Sequence, residues 1–216
     1  MKTAIVIGAT GLVGANLVNK LNDAKVYDKV ILLVRRKTEL NHLKLEEKIV
    51  DFDTIDSELI KADDIFCAIG TTLKKAGSKE NQYKIDCEYP AKIAQMGKLN
   101  GVKQFILVSS VGADKNSSNF YLRTKGELEE RIAALNYDAF IVMRPSFIIG
   151  DRKEFRLGEI IGIFLASLFR PLMIGKLKKY RGVHAIAIAK KMVKLANDNL
   201  NGMVVVESGK ITLKEK

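Results

Sequence analysis

Short apolar runs alternate with longer stretches of helical periodicity along this chain. Residues 4–7, 30–34, 49–50, 65–69, 105–108 and 140–143 are the runs; residues 12–21, a long stretch ending at Leu99, and residues 121–135 carry the helical pattern. Such alternation predicts repeated βα units, and so a parallel sheet with helices on both faces. The apolar runs lack strict polar alternation, as expected of strands buried on both sides. The fold class read from this pattern is α/β, a Rossmann-type doubly wound parallel sheet.

No linker rich in Pro, Gly or Ser divides the chain, and no internal repeat or low-complexity segment interrupts it. A single domain over residues 1–216 is therefore expected, with a small C-terminal substrate or interface region from about residue 145. Arg144-Pro145 closes the sixth predicted strand. Residues 158–169, GEIIGIFLASLF, form an almost wholly apolar helical stretch. It is shorter than the about 20 residues a bilayer requires, so no membrane span is expected. A core or pocket-lining helix explains it, as do a subunit interface, which leaves a homodimer open, and contact with a membrane surface.

Composition changes this picture little. A hydrophobic share of 47% and a charged share of 28% are ordinary for a globular protein. The net charge of +11 would favour nucleic acid, an anionic membrane surface or a polyanionic small ligand. The basic residues are scattered, as in Lys74-Lys75, Lys178-Lys179 and Lys190-Lys191, and Trp is absent, so no nucleic-acid partner is expected. The apolar run after Met1-Lys2-Thr3 is broken by Gly8, Gly11 and Gly14, which fits a strand entering a turn better than a secretory signal. Cys67 and Cys87, the two cysteines, lack metal-ligand spacing and any secretory context. No metal is expected, and a reducing cytoplasm is the expected location.

Two constellations carry chemistry. Gly8-Ala9-Thr10-Gly11-Leu12-Val13-Gly14 follows the first strand and opens the first helix, in a GxxGxxG pattern. Glycine permits a tight turn and lets backbone approach a ligand, while helix N-terminal N–H groups attract a pyrophosphate. The same turn can also serve packing alone. The second strand then runs into Arg35-Arg36, about 20 residues on, where an NAD site usually places an acid for the ribose 2′-hydroxyl. Two guanidiniums match a 2′-phosphate instead, which favours NADP(H); a basic strand end facing water is the plainer alternative.

Tyr121-Leu122-Arg123-Thr124-Lys125 puts a tyrosine and a lysine on one helix face. A nearby ammonium favours phenolate and lowers a tyrosine pKa from about 10 toward working pH. Such a tyrosine can exchange a proton with a carbonyl oxygen while hydride moves to or from a nicotinamide. Ser110, which with Ser109 ends the strand at 105–108, lies 11 residues earlier, at a strand C-terminus of the kind that lines the ligand crevice. Its hydroxyl can polarise a substrate oxygen, although turn chemistry before Gly112 also explains the serines.

Together these residues resemble the short-chain dehydrogenase/reductase superfamily. Val50-Asp51-Phe52, CAIGTT at 67–72, Lys75-Ala76-Gly77, residues 110–114, residues 120–126 and RPSFIIGDRKEFR at 144–156 resemble its atypical branch, typified by the Tat-interacting-protein oxidoreductases. The resemblance spans roughly residues 3–200. It implies that Thr10, Gly11, Leu12 and Val13 hold the pyrophosphate and Arg35-Arg36 the 2′-phosphate. It also implies that Asp51 and Phe52 flank the adenine, that Ile69 and Gly70 meet the ribose region, that Ile148 lies near the nicotinamide, and that Arg156 is a further anion contact. Core packing is the alternative for Ile69 and Ile148.

Two departures matter. Many superfamily members carry Asn on the helix after the fourth strand, where this chain presents Asp86, and the segment after Arg156 is short beside the extended branch. His184 has no acidic partner nearby in sequence and reads as structural or surface. The leading expectation is an NADP(H)-dependent oxidoreductase acting on a small carbonyl or alcohol through Tyr121, Lys125 and Ser110. The rival is an NADP(H)-binding redox-sensing or regulatory protein with little or no turnover.

Overall fold

Alternate residues of one strand serve two different cores. The structure, a computed structural model, describes residues 1–150 and 182–212. In β1 (Lys2–Ile7), Ala4 and Val6 face one side while Ile5 and Ile7 face the other, and all four are fully buried. This is the physical counterpart of an apolar run without polar alternation.

After β1 come α1 (Leu12–Asp23), β2 (Tyr27–Val34), β3 (Leu45–Ile49) and β4 (Asp64–Cys67). Two short helices, α2 (Leu73–Ala76) and α3 (Lys79–Tyr83), lead through a π-helical turn, Lys84–Glu88, into α4 (Tyr89–Leu99). Then follow β5 (Gln104–Val108), α5 (Phe120–Ala133), β6 (Ala139–Arg144), β7 (Ile148–Ile149), β8 (Val183–His184), α6 (Ala185–Leu195) and β9 (Gly202–Glu207). Seven strands form one sheet in the order β3-β2-β1-β4-β5-β6-β9, every neighbouring pair parallel. β7 and β8 pair separately.

Leu17 and Leu21 of α1 and Ile188 and Met192 of α6 cover one face of the sheet, against Val6, Leu32, Phe66, Ile106 and Ile141. Ile93 of α4 and Leu128 and Ile132 of α5 cover the other, against Ile5, Leu33, Ile65, Phe105 and Val142. The doubly wound α/β architecture expected from the sequence is present. The strand order reverses direction at β1 and β4, and the crevice beyond the carboxyl ends of strands at such a point is where ligands bind in open α/β sheets.

Three elements differ from the sequence reading. β3 occupies Leu45–Ile49 rather than 49–50, because LEEKI is a half-exposed edge strand whose charges obscure its pairing with β2. β4 stops at Cys67 rather than running to Ile69; Ala68 still donates to the Ile7 carbonyl at 2.9 Å, and Ile69 and Gly70 continue as a loop. β9 was not anticipated: its apolar residues 203–206 lie between polar turns, and parallel pairing with β6 makes them a strand. Arg156 and the apolar stretch 158–169 lie outside the described residues.

Candidate active site

The glycines of the first turn are there for space. Gly8 has φ +86°, and a Cβ on it would fall 2.5 Å from the carbonyl carbon of Ala68 and the nitrogen of Ile69. The loop after β4 therefore lies against the turn after β1. A Cβ on Gly14 would fall 2.0 Å from the Gly8 carbonyl oxygen, so α1 starts as close to β1 as backbone allows. Gly11 donates its N–H to the Gly8 carbonyl at 3.0 Å and caps α1 without a side-chain hydrogen bond. No acidic residue occupies the first turn. The first N–H groups of a helix lack partners within it, and here no side chain competes with an incoming anion for them.

Thr10 and Gly11 are exposed at this turn, Leu12 is half-buried, and Val13 turns its side chain into the core. Arg35 and Arg36 follow β2 and are both exposed. Just beyond them Thr38 is pinned to Glu47 of β3, its hydroxyl donating to one carboxylate oxygen and its N–H to the other at 3.2 Å. Asp51 is exposed, with Oδ1 accepting the Asp53 N–H at 2.9 Å. Phe52 is a core residue whose ring stacks on Tyr89 at 5.4 Å, so it offers a ligand its backbone rather than its ring. Ile69 is half-buried against the core and Gly70 is exposed. Ile148 is half-buried, and a Cβ on nearby Gly150 would fall 2.8 Å from Leu12 Cδ1, which brings this strand over the start of α1.

The second constellation stands on α5. Asn119 caps this helix, its side chain accepting the Leu122 N–H at 3.1 Å, as sequence preferences at helix starts lead one to expect. Tyr121 is 37% exposed whereas Lys125, one turn on, is 3% exposed, so the phenol meets solvent above a buried ammonium. Lys125 Nζ lies 5.9 Å from the centre of the Tyr121 ring. Burial alone would push the lysine pKa down. The Asp86 carboxylate, aided by Tyr121, Cys67 and Cys87, more than offsets this and holds it above the ordinary lysine value.

Asp86 itself is fully buried in the π-helical turn before α4. Its Oδ1 accepts the Thr71 N–H at 2.7 Å, and its Oδ2 is buried without a partner. Gly70 stands directly over the pair: a Cβ there would lie 3.7 Å from Asp86 Oδ1 and 4.0 Å from Lys125 Nζ.

The two serines after β5 have separate duties. Ser109 is buried and donates to Glu129 Oε1 at 2.5 Å; Arg144 donates to both oxygens of the same carboxylate, at 3.1 and 2.5 Å, and reaches Glu207 at 3.5 Å. Ser110 is half-buried, and its hydroxyl makes only a 3.3 Å bond to the Val111 carbonyl. That hydroxyl can turn to a ligand. The loop behind it is seated on α5 at Gly126, where a Cβ would fall 2.2 Å from the Lys115 nitrogen. A glycine inside a helix, right after the lysine of the motif, was a sequence signal of this close approach.

The structure thus gathers Tyr121, Lys125, Asp86 and Gly70 at one point, and the glycine turn, Ile69 and Ile148 around the start of α1. Arg35-Arg36 stands at the carboxyl end of β2. The burial of Asp86 beside Lys125 and the Ser109–Glu129–Arg144 network are contacts that motif spacing does not reveal, because they depend on which elements pack together. Among the described residues, no group of three or more ligating side chains could hold a metal, and no helix is long and apolar enough to cross a membrane.

Residues 8–158 match the model of a family described as NAD(P)H-binding. The chain belongs to this NAD(P)H-binding family. Curated relatives support the assignment. The protein is 39% identical over 161 residues to "Protein FMP52, mitochondrial" of Candida glabrata, covering 73% of this chain and 68% of that one. It is 35% identical to the Aspergillus niger protein of the same name, covering 98% and 94%, and 33% identical to "Protein HTATIP2" of Rattus norvegicus, covering 99% and 86%.

Among solved structures, the Bordetella bronchiseptica enzyme WbmH in complex with NAD+ superposes with a TM-score of 0.70 at 15% identity, covering 96% of this chain and 76% of that one. A UDP-N-acetylglucosamine 4-epimerase from Methanobrevibacter ruminantium gives 0.71 at 18%, covering 95% and 76%. At such identities these two speak for the fold. With the family model and the relatives, they describe an NAD(P)H-binding protein of Rossmann-type fold.

One expectation falls. The cytoplasmic location does not stand against relatives from Candida glabrata, Aspergillus niger and Candida albicans, all named mitochondrial. That expectation rests on two cysteines without metal-ligand spacing or secretory context, and both are buried. Buried thiols report packing and carry no cellular address.

Proposed function

We propose that this NAD(P)H-binding protein is an NADP(H)-dependent oxidoreductase acting on a small carbonyl or alcohol, with Tyr121, Lys125 and Ser110 as its catalytic residues. The observation that carries the reading is the half-exposed Tyr121 phenol standing over a buried, charge-compensated Lys125 ammonium. A buried lysine next to an exposed tyrosine at the switch point of a doubly wound sheet has no evident packing purpose.

The residues fit the dinucleotide because the turn is shaped for it: side chains at Gly8 and Gly14 would collide with backbone, and the start of α1 is left uncapped. Thr10, Gly11, Leu12 and Val13 would hold the pyrophosphate by backbone N–H groups. Arg35 and Arg36, exposed and without an ion pair to another described residue, would take the 2′-phosphate. Asp51 and the Phe52 backbone would border the adenine, Ile69 and Gly70 the ribose, and Ile148 the nicotinamide.

When bound, the nicotinamide supplies or accepts the hydride. In the reducing direction, the Ser110 hydroxyl donates a hydrogen bond to the substrate carbonyl oxygen and orients it. The Tyr121 hydroxyl delivers a proton to that oxygen, and the Lys125 ammonium stabilises the charge left on the phenol. Gly70 keeps the approach to Lys125 open.

A second reading, a redox-sensing protein that binds the cofactor with little turnover, draws on Asp86, a carboxylate where many superfamily members carry an amide.

Titration with NADPH and NADH tests the cofactor, and NADPH oxidation across a panel of aldehydes and ketones tests turnover. The unmodified protein is expected to prefer NADPH, and the double variant Arg35→Ala, Arg36→Ala to lose about 10- to 100-fold in NADPH affinity with little change for NADH, as for loss of charge-assisted hydrogen bonds. Equal affinity for both cofactors in the unmodified protein would remove the arginine argument.

A further inference from the structure

Asp86 combines three properties seldom found together. It is fully buried, one of its carboxylate oxygens has no hydrogen-bond partner, and it sits in a π-helical turn. π-Helical turns are rare and concentrate at functional sites, and a buried unpaired oxygen in a native protein calls for a cause. The Thr71 N–H engages only Oδ1, a task a neutral amide would perform equally well.

The other oxygen, Oδ1, lies toward the same spot as the Lys125 ammonium. Both groups approach one point beneath Gly70, 3.7 Å for Asp86 Oδ1 and 4.0 Å for Lys125 Nζ. No direct hydrogen bond joins them, so their attraction acts through space in a medium that screens poorly. The groups that bear on Lys125 are Asp86 and Cys87 from the π-helical turn, Tyr121 from its own helix and Cys67 from β4. Of these, Asp86 raises the lysine pKa most, and the thiols are pushed toward the neutral form by burial.

We propose that Asp86 is a positioning residue whose carboxylate holds the Lys125 side chain charged and in place beneath Tyr121. The proposal rests on the oxidoreductase reading for its purpose, though not for its test. The carboxylate exchanges mobility of the lysine proton for a fixed ammonium, so Lys125 acts as a constant charge and not as a proton carrier.

The test replaces charge while keeping shape. Asp86→Asn retains an oxygen for the Thr71 N–H. In protein with isotope-labelled lysine side chains and no cofactor added, NMR titration is expected to show Lys125, assigned by Lys125→Arg, losing its proton at higher pH than the exposed lysines. In Asp86→Asn the order is expected to reverse, since burial then loses its largest counterweight. The alkaline limb of NADPH binding, read by fluorescence titration, is expected to move to lower pH in the same variant.

Lys125 titrating with or below the exposed lysines in the unmodified protein overturns the proposal, and that measurement decides alone if the variant does not fold. An unmoved Lys125 or an unmoved alkaline limb in a folded Asp86→Asn overturns it as well. Absence of NADPH binding by the unmodified protein would instead defeat the proposed function and leave the lysine titration standing as its own result.

Discussion

Gly14 and Gly8 are pressed together so closely that a Cβ on Gly14 would lie 2.0 Å from the carbonyl oxygen of Gly8. A single methyl group there cannot be accommodated without moving α1 off β1. Gly14→Ala is expected to destabilise the fold by about 1–3 kcal/mol, the range for overpacking a tight site. It should also weaken NADPH binding about tenfold or more, because the N–H donors of the first turn move with the helix. Gly11→Ala serves as the comparison: its Cβ would lie 3.3 Å from the same oxygen, and a milder loss is expected. Denaturation and cofactor titration of both variants check this, and equal behaviour would contradict it.

In the proposed mechanism Tyr121 transfers the proton and Lys125 supplies the charge. Tyr121→Phe keeps the ring over the ammonium and removes only the hydroxyl. Turnover is expected to fall about 10²- to 10⁴-fold, the usual scale of general acid–base catalysis, with NADPH affinity nearly unchanged. Ser110→Ala is expected to lower turnover about 10²-fold, as loss of one oxyanion donor does. Steady-state rates on any carbonyl the protein reduces provide the measurement, and full activity in Tyr121→Phe would refute the assignment.

Glu129 ties Ser109 of the β5 loop to Arg144 at the end of β6. Glu129→Ala leaves the guanidinium with Glu207 alone, at 3.5 Å. A loss toward the lower end of the about 3–5 kcal/mol seen for broken buried pairs is expected, since Arg144 keeps that second acid. The control is Glu130→Ala, whose partner Lys115 is exposed and whose loss should cost no more than about 1 kcal/mol. Urea denaturation separates the two; similar midpoints would show that the network holds nothing in place.

Both thiols are fully buried, and burial pushes Cys67 up to about 12 and Cys87 upward as well. Because the thiolate is the reactive form, neither should react with Ellman's reagent at pH 8 in the folded protein. Both should react once guanidinium unfolds it. Rapid release of one equivalent from native protein would show that β4 or the π-helical turn opens more readily than its packing indicates.

The amino-acid order by itself determined the βα alternation, the glycine turn, the arginines after the second strand and the Tyr121–Lys125 pair. Each is a local statement, a period or a spacing within one or two elements, and such statements survive without knowing which elements touch. β3 and β9 were less legible because edge strands are half-exposed, and their apolar pattern is weak until a neighbour pairs with them.

Only the tertiary structure decided what surrounds Lys125. Residues 67 and 70 belong to β4 and the loop that leaves it, and residue 86 to the π-helical turn before α4; the fold brings these two segments onto the α5 face that carries Lys125. Asp86 read from sequence was a departure from a pattern. Buried beneath Gly70 with one oxygen unpaired, it is the charge against which the lysine of the motif is balanced.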